Sequence, residues 1–500
     1  MRLLTALFSA ISRIFRSTLV VLLTLTPVSG STPGAGRPDL SGITNSLERS
    51  IERILDETGI PSISVALVRD GEVAWADARG YANLGARVPA TADTYYNTGS
   101  TFKFVTATAI MQLVEKGAFT LETPLNQIEG LDLQIKGGDD VTVRHLLSHR
   151  SGLDAYATAR RFKTAGSVSA VPLWSWQAHI ATEELLSHTR PADSPGKRFK
   201  YSNDGYVIAG YIVEKVSGQS YDEYVAQHVL QPLGIDIERP SVPSPRVVEH
   251  MALPYELTDN TARAIPQVRF DAGAPGDVYL KASDMARFVA AQLNGGDYAG
   301  ERILSADSTE EMRRQHFEGR AYGLGVGMTH VDGHDLITHS GGIPGFKSIM
   351  VAEPSTRNGV YIMANAGASG ATPQALGMLA HRAMQLMRGD EPAPIPSFAP
   401  RLAITLSPEI LDHYVGEYVI PPGRSFIFLR TDDRFFVRVG NRPPVEVFAS
   451  SETDFFLREG RASVTFGRDV EGGPVTHLIH HAGQGDQRAN RLNEHMEGPK

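Results

Sequence analysis

The 500-residue chain has no cysteine. That excludes disulfides, thiol nucleophiles, cysteine-ligated metals and a lipid-modified N-terminal cysteine. It also lacks a long basic run. With 48 Lys and Arg against 56 Asp and Glu, its net charge is −8, so nothing points to nucleic acid as a partner. No internal repeat is found. Acidic residues are missing before Asp39, where Arg2, Arg13 and Arg16 precede the apolar run LVVLLTLTPV. That run is too short to cross a bilayer comfortably. The pattern predicts a signal peptide over residues 1–30, cleaved near Gly30, and hence a secreted or periplasmic protein. An organelle transit peptide and an uncleaved anchor share these features. Residues 31–42, STPGAGRPDLSG, read as a flexible leader.

What remains is ordinary for a globular chain: 42% hydrophobic and 21% charged residues, enough to build large cores in two or three domains. A helical pattern runs from about Ile43 to Glu57. PSISVALVRDGEVAWADARG follows, two strand-like runs around Asp70-Gly71, a hairpin signal. Short helices are expected at VRHLLSHRSG, with Thr142 as N-cap and Gly152 as stop, and at SYDEYVAQHVL, with a Ser220/Glu223 capping box. DGYVIAGYIVEKVSG and SDMARFVAAQLNGG read as longer helices, the latter capped by Ser283 or Asp284. HDLITHSGGIPGFKSIMVAEPSTRNGVYIMANAG reads as three strands, followed by a helix from about Pro373 to Met387. Strands at both ends with helices between predict an α/β domain of the α+β kind over residues 43–390. It would be one antiparallel sheet covered by the terminal helices and joined to a helical lobe. Residues 391–400, EPAPIPSFAP, read as a proline-rich linker. Short alternating strands over 401–484 predict a small antiparallel barrel or sandwich. Residues 485–500 read as a disordered tail.

Within the first domain, GSTFKFVTATAIMQLVEKG carries a single charge, Lys103, between Asp93 and Glu115. Apolar residues recur at helical spacing after Gly99, and Lys116-Gly117 suits a helix end. Ser100 and Lys103 then share one side of the first turn of a largely apolar helix. A buried lysine has a lowered pKa, so its amine can take a proton from a neighbouring serine. A structural lysine that snorkels to the surface is the bland alternative. Ser-x-x-Lys is a weak pattern and occurs twice. In Ser194-Pro195-Gly196-Lys197, however, Pro-Gly prevents a shared helix face.

Lys200-Tyr201-Ser202-Asn203 precedes a helix. A lysine ammonium would stabilise a Tyr201 phenolate, and Asn203 can both donate and accept. Read alone, the pair is equally a core tyrosine and a helix cap. In Thr338-His339-Ser340-Gly341-Gly342, glycines would let a substrate approach a strand edge and leave an N–H for an oxyanion. An ordinary strand-to-turn Gly-Gly is the alternative. His145 and His149 stand four apart, as two metal ligands can, but the glutamate of HExxH is absent and no third ligand is evident. No metal is therefore expected. Trp174 and Trp176 would line a cleft or, more simply, pack in a core. His480 and His481 read as ordinary strand residues.

Taken together, Ser-x-x-Lys, Tyr-x-Asn and His-Ser-Gly in this order resemble the serine beta-lactamase and penicillin-binding-protein family. The resemblance covers roughly residues 43–387. VRHLLSHRSGL and SDMARF bring it closer to the class C beta-lactamase, DD-peptidase and esterase branch. The C-terminal strands resemble the lipocalin-like domain of some relatives. The resemblance implies an acyl-enzyme with no cofactor and a small-molecule or short-peptide substrate. Ser100 would be the nucleophile, Lys103 its activator and Tyr201 the proton relay. Asn203 and His339 would bind substrate along the Gly341-Gly342 edge, with the N–H groups of Ser100 and Gly342 as oxyanion hole. The family's third motif usually begins with lysine; His339 in its place favours peptide, amide or ester substrates over beta-lactams. A true beta-lactamase, a penicillin sensor without turnover and an acyltransferase are the rival readings.

Overall fold

Two neighbouring strands, buried on both faces, organise the first domain. The computed structural model describes residues 38–131, 139–153, 193–267, 273–367, 371–398 and 402–492, the last range apart from 422, 441–442, 458–462, 471 and 483–484. The expected signal peptide, most of the leader, Trp174 and Trp176 lie outside the described residues.

The Asp70-Gly71 hairpin forms as expected, joining β1 (Ser62–Arg69) to β2 (Glu72–Asn83). β3 (Val88–Pro89) lies at the edge beyond β2. The distal half of the domain returns as β4 (Gly327–Val331), β5 (His334–Ile343), β6 (Phe346–Glu353) and β7 (Asn358–Ala364). All pairings are antiparallel, in the order β4-β5-β6-β7-β1-β2-β3. The two ends of this domain thus meet at the centre, where Ile63 pairs with Ala364 and Val68 with Gly359.

Alternation distributes these central strands between two cores. Ile63, Val65 and Leu67 of β1, with Val360 and Ile362 of β7, face helices α1 (Leu40–Thr58) and α6 (Thr372–Arg388). Ala66, Val68, Tyr361 and Met363 face the other way. There they meet α2 (Lys103–Glu115), α4 (Asn203–Ser217) and α5 (Ala282–Leu293) of the helical lobe. α1 starts earlier than its apolar pattern suggested, because the Asp39 carboxylate accepts from the Gly42 N–H at 3.2 Å and caps it. α5 is capped neither by Ser283 nor by Asp284. Lys281 is the cap, and the Asp284 carboxylate accepts from its backbone N–H at 3.2 Å. The capping box at Ser220 and Glu223 is present.

The proline-rich stretch is not a free tether. Ile395 and Phe398 are buried against α1 and α6. Arg53 donates to the Ile395 carbonyl, Glu57 accepts from the Phe398 N–H, and Arg382 donates to the Ala393 carbonyl at 3.1 Å. Apolar side chains between the prolines hold the segment to the surface.

Beyond it a closed eight-stranded antiparallel barrel forms. Its strands are β8 (Gly416–Ile420), β9 (Arg424–Thr431), β10 (Arg434–Val439), β11 (Val445–Ala449), β12 (Asp454–Phe456), β13 (Ser463–Gly467), β14 (His477–Ala482) and β15 (Gly485–Arg491). β15 falls in the segment expected to be a disordered tail. It is instead the staff that closes the barrel, pairing with β14 along its length and with β8 at Tyr418–Arg491. Closure leaves no open sheet edge.

Candidate active site

Ser100 sits in a 3₁₀ turn, Gly99–Phe102, that leads directly into α2. The turn is fixed from several sides. Asn97 accepts from the Gly99 N–H at 2.9 Å and donates to Asp277 at 2.9 Å. The Thr98 carbonyl receives the hydroxyls of Thr101 at 2.8 Å and Ser348 at 2.5 Å. Gly99 has φ +52, and a Cβ there would lie 2.5 Å from the Gly342 nitrogen. A Cβ on Gly341 would lie 2.2 Å from the Thr98 carbonyl oxygen. Backbone is packed on backbone here, which explains why glycines occupy both sides of the contact.

The Ser340-Gly341-Gly342 segment is an open edge. β4 pairs with β5 only as far as Thr338, so on that side β5 has no sheet neighbour from His339 onward among the described residues. Its other side stays paired with β6 through Gly342–Lys347.

Lys103 has no exposed surface. Its Nζ lies 3.1 Å from Ser100 Oγ and 2.5 Å from the Pro275 carbonyl. It faces the rings of Tyr201 and Tyr206, 5.1 and 5.4 Å from their centroids. No carboxylate pairs with it among the described residues. Burial alone pushes its pKa well below the usual lysine range. The snorkelling alternative is therefore excluded. At the second Ser-x-x-Lys, Gly196 has φ +79 and Lys197 is exposed, a turn with no shared face.

Tyr201 and Asn203 flank the start of α4. Ser202, not Asn203, is the cap: its Oγ accepts from the Gly205 N–H at 3.0 Å. This leaves the Asn203 side chain outside the capping role. His339 is buried, with Nδ1 3.0 Å from the Ser340 carbonyl and Nε2 2.9 Å from the Tyr322 hydroxyl. Nδ1–H donates to the carbonyl, so Nε2 accepts from Tyr322. Burial, then the charge of Lys103, lowers the His339 pKa to about 3. The ring is neutral at physiological pH.

His149 joins the site, contrary to its reading as one of an unconvincing metal pair. α3 (Val143–Leu147) ends before it. His149 takes a left-handed φ of +57 and turns inward, while the His145 ring stacks on Phe317 and accepts from the Thr142 N–H at 3.2 Å. The two imidazoles are engaged separately. His149 Nδ1 accepts from the Ser202 N–H at 3.1 Å, which puts its ring proton on Nε2. Its ring lies 4.1 Å from that of Tyr201 and 5.0 Å from that of Tyr322. Burial holds it neutral. The signal for His149 was present in VRHLLSHRSGL, but an assumed helical register hid it. Tyr322, in a segment without periodicity, offered none.

The Beta-lactamase family model matches residues 47–384. The chain belongs to this family. It is thus a serine-hydrolase-type enzyme, of a family whose acyl-enzyme mechanism acts on small substrates. The chain is 26% identical over 424 residues to penicillin-binding protein 4* of Bacillus subtilis strain 168, spanning 81% of this chain and 89% of that one. Protein flp of Staphylococcus aureus strain NCTC 8325 / PS 47 is 25% identical over 334 residues, 65% of this chain, which spans 64% of flp. Among solved structures, the octameric penicillin-binding protein homologue from Pyrococcus abyssi superposes with a TM-score of 0.61 at 26% identity, covering 89% of this chain and all of that one. The D-amino acid amidase from Ochrobactrum anthropi SV3 shares the fold, with a TM-score of 0.57 at 24% identity over 70% of this chain and 99% of its own.

Proposed function

We propose that the protein is an exported serine hydrolase that forms an acyl-enzyme on Ser100 from peptide, amide or ester substrates. The observation that carries this is the fully buried Lys103 amine 3.1 Å from Ser100 Oγ. A neutral amine is a competent base. In this reading, Ser100 Oγ attacks the substrate carbonyl as its proton passes to Lys103 Nζ. The oxyanion is met by the N–H groups of Ser100 and Gly342. Tyr201, against the same amine, hands its proton to the departing nitrogen or oxygen and is reprotonated from Lys103, which returns to the neutral amine. Asn203 and the open β5 edge at Gly341 and Gly342 align the substrate. Water then releases the acyl group and restores Ser100.

His339 takes the place of a fixed cation. Being neutral, it accepts from Tyr322 and orders the edge rather than gripping a carboxylate, which supports peptidase or esterase chemistry over efficient beta-lactam hydrolysis. Likeness to penicillin-binding proteins and the N-terminal pattern support a secreted or periplasmic site of action. The stretches VRHLLSHRSGL and SDMARF support the class C, DD-peptidase and esterase branch, and the closed eight-stranded barrel supports a lipocalin-like domain.

A substrate panel tests this: aryl ester, D-amino acid amide, D-Ala-D-Ala peptide and chromogenic beta-lactam. Ester or amide turnover should exceed that of the beta-lactam. Since His339 protonates only near pH 3, carboxylate-bearing and neutral substrates of similar size should show parallel profiles of kcat/KM between pH 5 and 8. A limb confined to the carboxylate substrates would restore a charged His339. A burst without steady state on every substrate would favour a sensor.

A further inference from the structure

The barrel interior is not filled throughout. At one end Tyr414, Tyr418, Phe435 and Phe466 pack together, with ring centroids 4.5 Å apart for Tyr414 and Phe466. Toward the other end a cavity of about 270 Å³ opens above Phe428 and Phe455. This is near the lower end of the roughly 300–1,000 Å³ typical of small-molecule pockets. Its wall is mainly Val and Phe, and among the described residues no Asp or Glu lines it.

Arg424, Ser463 and His480 are the polar residues among those that line it. Arg424, Phe426 and Phe428 alternate along β9, so all three face inward. The Arg424 guanidinium lies 5.1 Å from the Phe426 centroid, and Phe426 lies 5.0 Å from the ring of His480 on β14. Arg424 forms no ion pair with any described residue. His480 lines the same cavity, is 6% exposed, and its buried Nδ1 has no hydrogen-bond partner among the described residues. A buried nitrogen left without a partner is costly as a purely structural arrangement, and the exposed Arg424 lines the same cavity. The pair suits a ligand that supplies acceptor oxygens.

We propose that the barrel binds one small amphipathic monocarboxylate. Its carboxylate is held by Arg424 and His480, and its apolar body lies among Phe426, Phe428, Val437 and Phe455. Arginine matches a carboxylate with paired N–H donors, and a single cation in an apolar cavity suits a single negative charge. The cavity volume fits a medium-length chain or an aryl acid and is too small for a long-chain lipid.

Isothermal titration of the full-length protein with octanoate, octanol and octylamine tests this. Octanoate should bind one per chain, about 10–100-fold more tightly than octanol, and octylamine should be weakest. Arg424→Ala, at an exposed position, should bring octanoate down to the level of octanol. Val439→Trp, at the half-buried rim, should block all three. Both variants should hydrolyse neutral esters as the parent does. Octanoate binding unchanged in both variants, equal binding of acid and alcohol, or no binding at all would overturn the proposal.

Discussion

Lys103→Met is expected to remove turnover and, at the same time, to make the fold more stable. The loss of kcat should be about 10³-fold or more, because groups that act as a unit fail together. The gain in stability follows from burial. Lys103 is wholly enclosed and its amine has a carbonyl and a hydroxyl for partners but no carboxylate among the described residues. Its folded pKa lies well below that of the unfolded chain. Between those two values the unfolded state binds more protons, so the parent's stability rises with pH across that window. At neutral pH the parent therefore carries a penalty that methionine, of similar length and apolar, does not. Thermal unfolding should show a higher Tm for the variant, by about 2–4 °C per kcal/mol relieved. The difference should shrink as pH rises toward 10. A variant less stable than the parent at every pH, or one retaining normal turnover, would remove Lys103 from its role.

Tyr201→Phe should keep the fold and lose chemistry. Its ring is held by the His149 imidazole 4.1 Å away and by the Lys103 amine, contacts that phenylalanine retains. Only the hydroxyl is lost. For an amide, whose leaving nitrogen must be protonated, kcat should fall about 10³-fold. For an activated aryl ester, whose leaving group departs as the phenolate, the loss should be much smaller. Equal losses on both substrates would mean that Tyr201 shapes the site rather than relaying a proton.

Period and composition made much of this architecture legible. β1 and β7 were legible as strand-like runs, and Asp70-Gly71 as a hairpin. The lone charge at Lys103 in an apolar helix pointed to the site before any geometry was known. What could not be read has physical reasons. β15 reads GDQRANR; of its described side chains only Ala489 is buried, so no apolar alternation marks it. EPAPIPSFAP has the composition of a linker, yet two side chains pin it to α1 and α6. His149 depends on a left-handed residue just past a helix end, and spacing alone places it on the wrong face. Tyr322 reaches His339 through tertiary packing with no local pattern. The neutral state of His339 follows from its burial, which the motif alone does not show.

The most direct measurement is the mass of the intact protein after reaction with a fluorophosphonate, followed by peptide mapping. One adduct per chain is expected, on the peptide containing Ser100, and labelling should be lost in Lys103→Met. An adduct on Ser194 or Ser340, with Ser100 unmodified, would contradict the assignment of the nucleophile.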